Sequence, residues 1–169
     1  MPIRRNAPIS TPAPVNSLSS SMDTLRFRVR PAVEADAPGL VRLFGQLGYP
    51  SDENVIRTQL RHFAAGNAHA LVAEADGGRL LGAATVAVHP RLYSLHASAQ
   101  LTALVTDGEA RRHGVGRALT QAAAEVARTA GCEKLYVRTH RRRQESPDFY
   151  RSQGFLETHL TFDLPLGQG

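Results

Sequence analysis

The sequence predicts one mixed α/β (α+β) domain built on a mostly antiparallel sheet. Three observations carry that expectation. Stretches with a two-residue apolar period alternate with stretches whose apolar residues recur every three to four positions. The order reads strand, two helices, three strands, helix, strand, helix, strand, without internal repeats. An Asp76-Gly77-Gly78 turn joins two apolar runs as a hairpin, which makes that pair antiparallel.

The elements follow in order. Residues 1–23 are rich in Pro and Ser and lack apolar periodicity, so they are expected to form a disordered tail, with a single domain over 24–169. "LRFRVR" alternates Leu25, Phe27 and Val29 against arginines and reads as a half-buried strand. Glu34 and Asp36 suit the first turn of a helix running to about Leu47, with Leu40, Leu43, Phe44 and Leu47 on one face. Ser51 is the expected N-cap of a second helix carrying Val55, Ile56, Leu60 and Phe63. The hairpin follows, then "SAQLTALVT" as another strand. A long helix spans about Gly114 to Ala130, with Val115, Leu119, Ala122 and Val126 as its apolar stripe and Gly131 as its terminator. "EKLYVRT" is a strand, and "SPDFYRSQG" a short helix capped by Ser146 and ended by Gly154. "FLETHLTFDL" alternates again and predicts a final strand.

Charge and cysteine content narrow the function. The formal net charge is +5, of which Arg4 and Arg5 in the tail supply +2. The rest is mildly basic and not interleaved with aromatics, which argues against nucleic-acid binding and suits a phosphorylated ligand. No apolar run is long enough to span a bilayer, so no membrane partner is expected. The single cysteine, Cys132, fits a reducing compartment, and a cytoplasmic protein is expected. The seven histidines lack metal-ligand spacing, so no metal site is expected.

One stretch carries chemistry. In "ARRHGVGRAL", Gly114 and Gly116 sit among Arg111, Arg112, His113 and Arg117 at the mouth of the long helix. A helix start exposes unpaired N–H groups, and its dipole favours phosphate. Glycines let a ligand approach the backbone, and the arginines offer charge-assisted contacts. The stretch is a candidate pyrophosphate cradle. It lacks the Gly-Lys-Ser/Thr ending of a P-loop, and Leu119 occupies the third small position of a dinucleotide fingerprint.

Arg111-Arg112-His113-Gly114-Val115-Gly116 does match the pattern Arg/Gln-x-x-Gly-x-Gly/Ala. With the strand "LTALVT" before it and Phe149-Tyr150-x-x-x-Gly154-Phe155 after it, the chain over 25–164 resembles the GNAT superfamily of N-acetyltransferases. The resemblance implies the GNAT fold, a twisted sheet of about six or seven strands flanked by about four helices, with the fourth and fifth strands splayed. It implies acetyl-CoA as acyl donor, with its diphosphate on the amides of Arg112 through Ala118. It also implies that the pantetheine arm pairs with Leu104, Val105 and Thr106, and that Tyr150 protonates the departing thiolate.

Relatives often place an Asn and an Ala ahead of the Phe-Tyr pair. Arg143 and Ser146 hold those positions here, and Ser146 substitutes for the Asn contact only if it does not cap its helix. The general base is open. The fourth strand carries Gln100 and Thr102 and no carboxylate, which leaves His140, Glu74, His96, a water chain or an already neutral amine.

The function implied is acetyl transfer to a primary amine of a small molecule or of a protein N-terminus. The alternative is a catalytically weak acyl-CoA-binding sensor or interaction module of the same fold. A homodimer through sheet edges or helices is compatible with either. A polycationic acceptor would call for acidic residues in the acceptor groove, and Asp52 and Glu53 are the nearest candidates.

Overall fold

Glu74 in one strand meets Arg28 and Arg30 in the strand beside it, at one edge of a five-stranded sheet. The computed structural model describes residues 25–140 and 143–167. The strands are β1 (Phe27–Pro31), β2 (Ala68–Ala75), β3 (Leu80–His89), β4 (Ala97–Thr106) and β5 (Cys132–Val137). The helices are α1 (Ala37–Leu47), α2 (Glu53–Ala65), α3 (Val115–Thr129) and α4 (Ser146–Ser152). The expected tail over 1–23 lies outside the described residues.

β1 to β4 pair antiparallel in sequence order, and β5 joins β4 in parallel. The parallel step follows from α3, which carries the chain back between the two strands. α3 covers one sheet face. Its buried positions Val115, Leu119, Ala123 and Ala127 pack with Leu71, Ala73, Leu81, Val86 and Leu101. Burying Val115 and Leu119 stabilises by roughly 1.5–3 kcal/mol each. The expected stripe through Ala122 and Val126 is only half-buried, because the helix turns its every-fourth-residue row to the sheet. On the opposite face, Leu40 and Leu43 of α1 pack with Val72, Leu80, Ala83 and Val105, and Ile56 and Leu60 of α2 flank them.

Two local expectations are corrected. Asp52, not Ser51, caps α2, its carboxylate accepting from Val55 N at 2.9 Å. Asp is the stronger cap beside the positive helix end. The sheet has five strands among the described residues rather than six or seven. Residues 155–164 make no ladder: Leu156, Leu160, Phe162 and Leu164 stay exposed, so no buried face holds the alternating stretch against a neighbouring strand.

Candidate active site

β4 keeps its pairing with β3 as far as Thr106, opposite Gly82. Its pairing with β5 ends at Leu101, opposite Val137. From Thr102 to Thr106 the edge of β4 toward β5 is therefore open. The register slips between Thr85 and Val86, so Thr102 is the extra residue of a β-bulge at the point of divergence. Bulges bend a strand and raise its twist, which helps to part the two strands. Leu104, Val105 and Thr106 lie on this open edge: Val105 is buried, and Leu104 and Thr106 are half-buried.

The strand end is clamped. Asp107 follows β4 directly and is 2% exposed. It accepts from Arg42 Nη1 (2.5 Å), Arg79 Nη2 (2.9 Å) and Gln46 Nε2 (3.4 Å). Its own N–H donates to Leu81 O, and Gln46 Oε1 accepts from Gly108 N. Burial alone would raise the Asp107 carboxyl. The hydrogen bonds from Arg42, Arg79 and Gln46 outweigh it and hold the carboxyl at about 2.

The glycine loop starts from this clamp. Gly114 is the N-cap of α3 with φ +80°, and Arg112 also has positive φ, 65°. Left-handed backbone in a non-glycine residue is costly and often found where a loop is held for a ligand. The first amide of the helix with a backbone acceptor is that of Ala118, which donates to Gly114 O at 3.0 Å. The amides of Gly114, Val115, Gly116 and Arg117 are the unpaired group that a helix start leaves. Arg111, Arg112, His113, Gly114 and Arg117 are exposed, Val115 is buried, and Gly116 and Ala118 are half-buried. None of the three arginines makes an ion pair among the described residues, whereas His113 Nδ1 donates to Arg111 O at 2.8 Å.

α4 closes the third side. A methyl at Gly116 would lie 3.4 Å from Thr106 Oγ1 and 3.5 Å from Phe149 Cζ, so strand end, loop and α4 meet at one glycine. Tyr150 packs edge-on against Phe149 (centroids 5.2 Å) and Phe155 (5.4 Å). Its hydroxyl makes no hydrogen bond among the described residues. Burial raises its phenol above the ordinary value, and Arg143 opposes that. α4 begins at Ser146 without a side-chain cap, so the Ser146 hydroxyl is not spent on the helix and the expected capping is corrected. Arg143 instead ties its guanidinium to Leu47 O at 2.9 Å. Arg141 and Arg142 lie outside the described residues.

The structure sorts the base candidates. Glu74 is held at about 2 by hydrogen bonds from Arg30 and Arg28, too acidic to take a proton near neutrality. His96 precedes β4, at the opposite end from the loop, roughly 30 Å along the strand. His140 follows β5 at the loop end of the sheet. Asp52 and Glu53 are both occupied on α2, the first as cap and the second by Arg57 at 2.9 Å.

Sequence reasoning missed three contributors, Asp107, Thr85 and Tyr136, and gave Phe149 only as part of the Phe-Tyr signature. Asp107 and Phe149 shape the cleft. Thr85 and Tyr136 belong to a polar strip on the sheet face away from α3. Thr85 Oγ1 and Thr102 Oγ1 are 2.6 Å apart, and Tyr136 OH donates to Gln100 Oε1 at 3.2 Å. Of the three missed, Asp107 left a signal, as an acid closing an apolar strand before Gly108.

An open strand edge leads into unpaired helix-start amides, a combination with the hydrogen-bonding groups to take an extended, phosphorylated ligand. The family model described as "Acetyltransferase (GNAT) family" matches residues 37–155, and the chain belongs to that family of acetyltransferases. It is 29% identical over 164 residues to glucosamine 6-phosphate N-acetyltransferase 1 of Oryza sativa subsp. japonica, covering 93% of this chain and 97% of that protein. The crystal structure of glucosamine-6-phosphate N-acetyltransferase from Arabidopsis thaliana is similar at TM-score 0.73 and 16% identity, covering 84% of this chain and 99% of that one. An aminoglycoside acetyltransferase from an uncultured soil metagenomic sample is similar at TM-score 0.70 and 24% identity, covering 83% and 97%. Family membership implies acyl transfer. No helix among the described residues is long and apolar enough to cross a membrane, and no cluster of metal-ligating side chains occurs among them.

Proposed function

We propose that the chain transfers an acetyl group from acetyl-CoA to the primary amine of a small molecule. The observation that carries this reading is the end of β4–β5 pairing at Leu101 and Val137, directly beside the unpaired amides of α3. The amides of Arg112 through Arg117 would hold the diphosphate, with Arg111, Arg112 and Arg117 adding charge. The Ala118 amide is committed to Gly114 O and contributes helix rather than ligand contact. The open edge at Leu104, Val105 and Thr106 would pair with the pantetheine arm as a strand does, and the Ser146 hydroxyl stands available as a side-chain partner. Bound there, acetyl-CoA supplies an activated acyl group.

The chain's own residues then have three roles to fill. The cleft must orient the acceptor, take a proton from the amine, and give one to the departing sulfur. Tyr150 fills the third, because its phenol, kept protonated by burial, is close enough in acidity to an alkyl thiol to donate. His140 takes the second in this reading, directly or through water; what supports it is that His140 follows β5 at the loop end of the sheet. Gln100, Thr102, Thr85 and Tyr136 present neutral hydrogen-bonding groups for the first.

Neutral hydroxyls and amides suit a sugar-like amine better than a polycation, since Asp52 and Glu53 are spent on α2. The likeness to the plant enzymes points the same way, toward an amino sugar phosphate. A peptide N-terminus is the remaining class of acceptor. The test is thiol release from acetyl-CoA with glucosamine 6-phosphate, an aminoglycoside and a peptide as separate acceptors. Turnover with the first and little with the others is expected. Coenzyme A uptake without turnover on any amine would favour a sensor, and no uptake by calorimetry would sink the site itself.

A further inference from the structure

Arg143 leaves the turn ahead of α4 and takes hold of another helix. It stands where relatives often carry Asn, and it is longer and charged. Its Nη2 donates to Leu47 O at 2.9 Å, across a separation of 96 positions. Leu47 is the last residue of α1, and Gly48 behind it turns left-handed at φ +95°. The final carbonyls of a helix lack partners inside it and carry its negative end, which favours a cation. Arg143 is exposed, and an exposed charge is screened by salt. Its effect therefore depends on being held in place, which the Leu47 carbonyl does.

The backbone of Arg143 is tied as well. Its N–H donates to His140 O at 2.9 Å, and its carbonyl accepts from Ser146 N, at the first residue of α4, at 3.2 Å. One residue thus joins the end of α1, the stretch after β5 and the start of α4. Tyr150 lies one helical turn beyond Ser146.

The charge of Arg143 also bears on that tyrosine. Burial raises the Tyr150 phenol, and the Arg143 cation opposes the rise. The elements around the ring carry Arg117 on α3, Arg138 and His140 after β5, Asp148 and Arg151 on α4, and Glu145 and Glu157 at either end of α4. Arg151 pairs with Asp148 at 2.9 Å and with Glu157 at 3.1 Å. β4 brings no charged side chain between Gln100 and Thr106. Among the described residues, Arg143 is the one whose charge acts on the phenol.

We propose that Arg143 is a positioning residue for acetyl transfer: seated on the α1 carbonyl, it holds the start of α4 and keeps a positive charge within reach of the Tyr150 hydroxyl while that hydroxyl gives up its proton. The inference rests on the reading of Tyr150 as the acid. As the C–S bond of the thioester breaks, its electron pair goes to sulfur, and the phenol proton follows. The phenolate left behind is stabilised by the guanidinium, which keeps its own protons throughout.

Two variants separate the charge from the tether. Arg143→Gln keeps an N–H donor and loses the charge, whereas Arg143→Lys keeps both. Ultraviolet titration of tyrosinate, taken as the difference from Tyr150→Phe, reads the Tyr150 phenol with no substrate present. Arg143→Gln should move that ionisation to higher pH, and Arg143→Lys should leave it near that of the parent. With acetyl-CoA and glucosamine 6-phosphate, Arg143→Gln should lower turnover about threefold or more and shift its alkaline fall upward. Arg143→Lys should recover most of that loss. In the Tyr150→Phe background, Arg143→Gln should cost less than about twofold, since the group it serves is gone. An unmoved phenol in Arg143→Gln, an Arg143→Lys no better than Arg143→Gln, or the full loss repeated in the Tyr150→Phe background would each overturn the role of Arg143 and leave that of Tyr150 standing. Parental turnover in Tyr150→Phe alone would remove the acid, and the role of Arg143 with it.

Discussion

Thr106 and Gly116 face each other across the cleft: a methyl on Gly116 would reach within 3.4 Å of the Thr106 hydroxyl. The strand that would pair with the ligand arm and the helix that would hold its diphosphate therefore touch at a point with no room for a branched side chain. Gly116→Val should weaken coenzyme A binding by about tenfold or more, some 1.4 kcal/mol, and lower the melting temperature through overpacking against Thr106 and Phe149. Gly116→Ala, in ordinary van der Waals contact with Thr106 and Phe149, should bind nearly as the parent does. Calorimetric titration of both variants checks the pair. Equal affinities for Val and Ala would show that the ligand does not pass this glycine.

Gly114 sits at φ +80°, where an L side chain is strained. Gly114→Ala should cost about 1 kcal/mol of folding stability. It should also disturb the orientation of the unpaired amides. Urea denaturation measures the first effect and coenzyme A affinity the second. A variant as stable as the parent would mean that the loop adopts another backbone.

Tyr150 is half-buried between Phe149 and Phe155, and the hydroxyl is the only part of it that removal to phenylalanine takes away. Tyr150→Phe should lower turnover by about 10²–10⁴-fold, the usual worth of a general acid, while leaving coenzyme A affinity within a factor of a few. Because burial raises the phenol, the alkaline fall in turnover attributable to it should lie above its ordinary range. Steady-state kinetics over pH, compared between parent and variant, decides. Unchanged turnover would remove Tyr150 from the chemistry.

Asp107 links stability to acid. Its carboxyl ionises at about 2 in the fold against 3.8 ordinarily, so the fold binds its proton less readily than the unfolded chain does. The stabilisation is complete above about pH 5 and is lost as pH falls from about 4 through 2. Its ceiling is ~2 kcal/mol, reduced by solvent around the part-exposed Arg42 and Arg79. Asp107→Asn should flatten that part of the acid-unfolding curve and loosen the end of β4. Identical curves for parent and variant would assign the acid loss to other carboxylates.

Much of this molecule was legible in the sequence because local periodicity and short-range signals govern it. The two-residue alternation located β1, apolar runs between turns and helices located β2 to β5, and the Asp76-Gly77-Gly78 turn made the hairpin antiparallel. The glycine pair ahead of an alanine-rich helix marked a candidate cradle, and the Phe149-to-Phe155 signature singled out Tyr150. Each depends on residues within a few positions of one another. What only the tertiary structure decided involves partners remote in the chain. The parting of β4 from β5 after Leu101, the bulge at Thr102, the capture of Glu74 by Arg30, the clamp of Arg42 and Arg79 on Asp107, and the unpaired state of residues 155–164 all turn on partners dozens of residues away. Periodicity shows which face of a strand is apolar. Which neighbour supplies its hydrogen bonds, and which carboxylate an arginine reaches, is settled by three-dimensional proximity alone.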